Sequence, residues 1–337
     1  MSKLCINQAH LSSKAHRFIV ILLNISGVLA VIYASVSIGL AMILAYHPQL
    51  PVTQTPSSPG LSYRSVAFPS RDDHLLLRGW FIPGILPNGH LTVERTIIMA
   101  HGMHSNRATP LMLSLSGALA HQGFAVLAFD MRGHGESPPA PLGGGYFEQR
   151  DVLGAVDFLR SDRLPYPELG HPRLIGGWGI SLGGVALLFA AAQEPAIRAL
   201  VIDSAYASME SLIRHTFGLA FPFIPGTLVI AHMLYGIDYY AVRPVDVVAK
   251  IAPRPILFIN GANDNIVLPS NMTELATAAS AASNAHVQAW LVPNTGHIEA
   301  YPKMRNTYVN RLTAFFTAAL SYVALSLIER QIATTLA

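Results

Sequence analysis

The stretch RLIGGWGISLGG, residues 173–184, runs from an apolar β-type segment into a helix-forming one, with Gly179-Ile180-Ser181-Leu182-Gly183 at the join. A serine at so sharp a strand-to-helix turn lifts its hydroxyl above the sheet. Glycine on either side is what lets the two backbones pass that closely. The pentapeptide recurs by chance, so its weight comes from its surroundings: the strand before it, GVALLFAAAQE after it, and the residues that follow downstream.

Outward from this point the pattern alternates between strand and helix. TIIMAHG (96–102), FAVLAFD (124–130), ALVIDSA (199–205), PILFING (255–261) and AWLVPNTGH (289–297) are further candidate strands. Helices are expected near 107–122, 147–162, 182–193, 271–282 and 303–320. Such alternation predicts an α/β fold, with a mainly parallel sheet covered by helices on both faces.

Two residues complete a hydrolytic constellation with Ser181. Asp264 lies in the loop after PILFING and His297 in the loop after AWLVPNTG, so nucleophile, acid and base occur in that chain order. Both fall just past strand C-termini, the edge where α/β sheets bind ligands. His297 is expected to take the Ser181 proton and return one to the leaving group. Asp264 fixes the imidazole tautomer and stabilises its cation. Asp203 is the alternative acid, whereas Glu299 is too near His297 in sequence to orient it.

A tetrahedral intermediate needs two donors aimed at its oxygen. The amide of Leu182 supplies one, and the Met103 amide, in the loop His101-Gly102-Met103-His104, is expected to supply the other. His101 and His104 also suggest metal ligation, but no Asp, Glu or Cys cluster accompanies them, and neither a metal nor a cofactor is expected.

HGMHSN (101–106), FDMRGHGES (129–137), GWGISLGG (177–184), GANDNIVLP (261–269) and PNTGHIEAY (293–301) together resemble the bacterial α/β-hydrolase family with serine-aminopeptidase-type and acylglycerol-lipase-type domains. The resemblance is strongest to its membrane-anchored branch, related to the Bem46-type hydrolases, and covers residues 62–320. It implies an eight-stranded sheet, Ser181 as nucleophile, Asp264 and His297 as its partners, and Met103 and Leu182 as oxyanion donors. Asp130, Arg132, Gly133, His134 and Gly135 match a family loop that is architectural.

Upstream of this domain, residues 18–46 contain no charged side chain. As a helix they would reach about 44 Å, more than the roughly 30 Å hydrocarbon core of a bilayer. An uncleaved transmembrane anchor is expected, with residues 1–17 as a tail. Lys3, Lys14 and Arg17 precede the run and residues 47–63 carry no Lys or Arg, which puts the tail in the cytoplasm and the rest on the other side. HPQLPVTQTPSSPGL (47–61) reads as an extended spacer lifting the domain off the bilayer. Residues 206–250 interrupt the alternation as a helical insertion, expected as a small apolar cap over the active site. Residues 321–337 form an apolar tail.

Composition agrees with membrane contact: 12% charged residues and a mean hydropathy of +0.40. A net charge of +3 with scattered Lys and Arg excludes a continuous basic face for nucleic acid. The one cysteine, Cys5, leaves the fold without disulfides. No nucleotide-binding glycine motif is complete. The expected activity is hydrolysis of a small-molecule or lipid ester, with peptide or amide cleavage as the second reading and a non-catalytic binding module as the third. The oligomeric state is left open.

Overall fold

The computed structural model describes residues 2–57 and 60–321. Apart from Ser321, the apolar tail 321–337 lies outside the described residues. Two compact units are distinguished: residues 1–45 with 218–237, and residues 46–217 with 238–337.

The larger unit is built on a sheet of eight strands. β1 (Arg64–Pro69) and β2 (Leu76–Ile82) open it. β3 (Gly84–Ile85) and β4 (Leu91–Thr92) form a separate two-stranded ribbon. β5 (Arg95–Ala100), β6 (Ala125–Asp130), β7 (Leu174–Ile180), β8 (Ile197–Asp203), β9 (Ile256–Gly261) and β10 (Val287–Val292) complete the main sheet. Its order is β1-β2-β6-β5-β7-β8-β9-β10, with only the β1–β2 and β2–β6 pairs antiparallel. β6, β7 and β9 are buried along their whole length, as near-continuous apolar strands must be when both faces are covered.

The pair β1 and β2 escapes the strand expectations above. Its residues mix Arg64, Ser65 and Arg78 with apolar positions, and β1 is an edge strand half open to solvent. In β2 the backbone approaches so closely that a Cβ on Gly79 would lie 2.9 Å from Phe129 Cβ.

Helix α2 (Pro110–Ala120) and the final helix bury one face of the sheet. The final helix is interrupted, unlike the single run expected over 303–320: one turn at Ala300–Lys303 precedes Arg305–Ala319. Met112, Leu115, Leu119, Leu312 and Phe316 join Ile97, Met99 and Trp178 in one core cluster. Trp178 donates its indole N–H to Tyr308 Oη at 2.9 Å, so the polar edge of this buried ring is satisfied. α3 (Gln149–Leu159) and α4 (Leu182–Gln193) pack together, α4 against β7 and β8.

The smaller unit is α1 (Ser2–Ala45) with α6 (Ile224–Tyr235). Residues 15–45 of α1 are long and apolar enough to cross a membrane. The two helices meet closely. A Cβ on Gly226 would be 2.6 Å from the Tyr33 ring, the Gly226 amide donates to Tyr33 Oη at 3.1 Å, and Tyr33 stacks on Phe223 with ring centroids 5.4 Å apart. Ser37 Oγ donates to the Phe223 carbonyl at 3.4 Å. Small residues at such a crossing let backbones approach, as in helix pairs within lipid. The insertion expected as one cap therefore divides: α5 (Met209–Phe217) belongs to the larger unit and Gly218–Ile237 to the smaller.

The segment expected as a spacer makes side-chain bonds to the larger unit. Gln49 Nε2 donates to the carbonyls of Gly135 and Ser137 at 3.2 and 2.8 Å, and Asn106 Nδ2 donates to those of Leu50 and Pro51 at 2.9 and 3.2 Å. Leu61 is buried in the main core. Contacts of this kind tie residues 49–51 to the rest of the larger unit, while Leu50 and Pro51 stay exposed.

Candidate active site

Ser181 stands between β7 and α4 with φ 52° and ψ −120°, a conformation that L-residues seldom adopt. Strain of this kind persists only when the surroundings over-determine it. Here the Ser181 amide donates to the Asp203 carbonyl at 2.8 Å, and its own carbonyl accepts from Val185 at 3.2 Å. Glycine is required on both sides. A Cβ on Gly179 would lie 2.6 Å from the Gly183 carbonyl oxygen, and one on Gly183 would lie 2.2 Å from that of Ala100.

The two partners expected downstream meet Ser181. His297 Nδ1 donates to Asp264 Oδ2 at 2.8 Å, and His297 Nε2 lies 3.3 Å from Ser181 Oγ. With its proton on Nδ1, the imidazole presents an acceptor to the serine hydroxyl, the geometry a general base needs. Asp264 is buried and fixed from behind, its Oδ1 accepting from the amides of Ile266 and Val267 at 3.0 and 2.9 Å. Ser181 and His297 stay partly open to solvent. Glu299 is turned elsewhere, onto the Gly296 amide at 2.7 Å and Lys303.

Leu182 opens α4, so its amide is among those left without an intrahelical partner at a helix start. The loop carrying Met103 runs alongside: a Cβ on Gly102 would be 3.4 Å from Ser181 Cβ. His101 is committed structurally. Its Nδ1 donates to the Gly102 carbonyl at 2.8 Å and its Nε2 accepts from the Met131 amide at 3.1 Å. Burial lowers its pKa to about 4, so it stays neutral. Among the described residues no group of three or more His, Cys, Asp or Glu is arranged to hold a metal ion.

Asp203, the alternative acid, is engaged otherwise. Tyr308 Oη donates to its Oδ2 at 2.8 Å and Ser204 Oγ to its Oδ1 at 2.9 Å. Tyr308 is a participant that sequence reasoning missed, since a tyrosine inside an amphipathic helix carries no signal of a buried carboxylate partner. Burial pushes the Asp203 pKa up to about 6, against the pull of its hydrogen bonds and of His297. The unfolded value is about 3.9, so the folded chain holds this proton more tightly. The associated stability is complete below about pH 4 and is lost as pH rises through 6. Asp203→Asn is therefore expected to stabilise the protein at pH 7 relative to pH 4 by roughly 2 to 3 kcal/mol. Thermal melts of both proteins across that range measure it. Parallel melting curves would show that Asp203 does not carry this dependence.

The family model for the prolyl oligopeptidase family matches residues 113–322. Among curated proteins, the chain is 27% identical over 265 residues to the uncharacterized protein YfhR of Escherichia coli K12, covering 77% of this chain and 82% of that one. It is also 27% identical over 244 residues to the uncharacterized protein YqkD of Bacillus subtilis, covering 70% and 75%. Among solved structures, the esterase Pf2001 of Pyrococcus furiosus aligns with a TM-score of 0.67 at 22% identity, over 82% of this chain and 99% of that one. An acylaminoacyl peptidase of Pyrococcus horikoshii aligns at 0.60 and 18% identity, over 78% of this chain and 42% of that one.

Proposed function

This chain belongs to the prolyl oligopeptidase family, whose model spans well over half of it, and is a serine hydrolase of the α/β-hydrolase type; on that premise we propose that it cleaves carboxylic esters through Ser181, His297 and Asp264. The observation that carries the reading is the hydrogen-bonded chain from Ser181 Oγ through the His297 ring to Asp264. Ser181 Oγ attacks the ester carbonyl carbon as its proton passes to His297 Nε2. The imidazolium is stabilised by Asp264, and the amides of Leu182 and Met103 receive the developing oxyanion. His297 then gives the proton to the departing alkoxide, leaving an acyl-Ser181 ester. Water, deprotonated by the same ring, attacks that ester; the acyl–Oγ bond breaks, the acid leaves, and the ring returns the proton to Ser181 Oγ.

The substrate proposed is an acyl ester with an apolar chain, delivered at or near a membrane. Support comes from the N-terminal apolar helix, read here as an uncleaved anchor with the hydrolase on the non-cytoplasmic side. The serine-aminopeptidase and Bem46-type branch suggested by the motifs stands with this proposal. Peptide or acyl-aminoacyl cleavage is the second reading, favoured by the name of the matched family and by the peptidase among the structural neighbours. Esters need less activation of the leaving group, which places them first.

The test uses the full chain in membranes washed with alkaline carbonate. Hydrolysis of p-nitrophenyl esters is expected to remain with the pellet and to rise in kcat/KM from acetate to longer acyl chains. Faster release of p-nitroaniline from aminoacyl or acyl-aminoacyl anilides would transfer the assignment to the second reading. Activity washed into the supernatant would refute the anchor.

A further inference from the structure

We propose that residues 46–51, immediately after the apolar helix, are a positioning strap that holds the loop His101–Asn106, and with it the Met103 amide, in register with Ser181. This rests on Ser181 as nucleophile and Met103 as oxyanion donor.

The loop lies outside any helix or strand, so nothing in its own secondary structure aims the Met103 amide. One of its residues, His104, sits at φ 53°, in the left-handed region that a non-glycine residue occupies only when held there. On one side the loop is anchored to the segment after β6: the Met131 amide donates to His101, and Asp130 Oδ1 accepts from the Arg107 amide at 2.8 Å. On the other side stands the strap.

Two contacts make that second side, and a third braces the strap. The His47 ring meets the His104 ring edge-on, with centroids 4.2 Å apart at 67°. Asn106 Nδ2 reaches the carbonyls of both Leu50 and Pro51, while its Oδ1 accepts from the Ala108 amide at 2.8 Å. Gln49 ties the strap in turn to Gly135 and Ser137, a few residues beyond the Met131 that holds His101. Burial, then His104 and His134, lower the His47 pKa to about 4, so at neutral pH the ring that packs edge-on against His104 is uncharged. The loop is thus clamped between two segments, and one of them is the first stretch of chain beyond the apolar helix.

An oxyanion donor acts only when aimed at the position the charged oxygen will take. Removing one costs about 10²–10³ in kcat, and displacing a reacting group by about 1 Å costs up to about 10². Loosening the strap should therefore weaken transition-state binding and leave ground-state substrate binding alone.

The test compares full-length natural protein with the double variant His47→Ala/Gln49→Ala and with Asn106→Asp, each quantified by fluorophosphonate titration of reactive serine so that misfolded molecules do not count. Asn106→Asp keeps the acceptor used by Ala108 and turns the donor facing Leu50 and Pro51 into an oxygen. Both variants are expected to lose about 10- to 100-fold in kcat at a KM within twofold of natural. Affinity for a trifluoromethyl ketone, which forms a tetrahedral adduct on the serine, should fall by the same factor. His47→Phe with Gln49 retained, which preserves the ring contact, should recover most of the loss. Unchanged kcat per titrated serine in both variants overturns the strap, as does a loss confined to KM. Natural-level hydrolysis by Ser181→Ala would instead overturn the underlying reading.

Discussion

Replacing Ser181 by alanine is expected to lower kcat for ester hydrolysis by about four orders of magnitude or more while leaving the melting temperature close to natural. On the proposed mechanism no acyl-enzyme forms without Oγ, and what survives is the modest acceleration that positioning and oxyanion donors give to direct attack by water. Stability should hardly suffer, because the strained turn at φ 52° is fixed by backbone bonds to Asp203 and Val185 that alanine keeps. Asp264→Asn should lose a similar factor through a different route: a carboxamide can turn its N–H₂ toward His297 Nδ1, favouring the tautomer that presents a proton to Ser181 instead of accepting one. Steady-state kinetics with mass spectrometry for the acyl-serine adduct separates the two. An adduct that still accumulates at natural rate in Ser181→Ala would remove Ser181 from the mechanism.

The largest effect on stability is expected from Arg132→Met. The guanidinium is buried, with Nη2 at 2.6 Å from Asp151 Oδ1 and Nη1 at 2.6 Å from Asp73 Oδ2. Burial pulls the arginine pKa down, but the charge and hydrogen bonds of Asp151, and then those of Asp73, outweigh it and the net shift is upward. Asp151 has no solvent exposure at all. Removing the cation strands its carboxylate in the interior, which costs about 3–5 kcal/mol. That is a large share of the roughly 5–15 kcal/mol that holds a domain folded. Urea unfolding measures it, and the double variant Arg132→Met/Asp151→Leu is expected to recover much of the loss, since no fully buried carboxylate is then left unpaired and the partly exposed Asp73 keeps Arg150. If the single and double variants unfold alike, the buried pair does not account for the loss.

How much of this was legible in sequence follows from what each feature needs. The approach of Ser181, Asp264 and His297 is legible because each follows an apolar strand and a turn signal, and parallel strands deliver such positions to one edge of the sheet. β1 and β2 are hard to read because an edge pair mixes polar and apolar residues without the unbroken β-branched runs of the buried strands. The division of residues 206–250 is illegible for another reason. Nothing local in Gly218–Ile237 announces that its partner is α1, and the Ser37–Phe223 bond joins residues 186 positions apart. The ties of Gln49 and Asn106 run to backbone carbonyls, which every residue possesses and no pattern marks.

The pairing of α1 with α6 bears on the order in which the molecule can be assembled during synthesis. α1 is complete after 45 residues, whereas Gly226, which receives Tyr33, follows only after most of the hydrolase strands have been made. The Tyr33–Ser37 face must therefore wait, uncovered, through the translation of β1 to β8. At about 5–20 residues per second, that interval lasts on the order of ten to forty seconds. During it the Tyr33–Ser37 face lacks its native partner, so the residues that later dock on Phe223 and Gly226 are the ones exposed to a chaperone, an insertase or a second nascent chain.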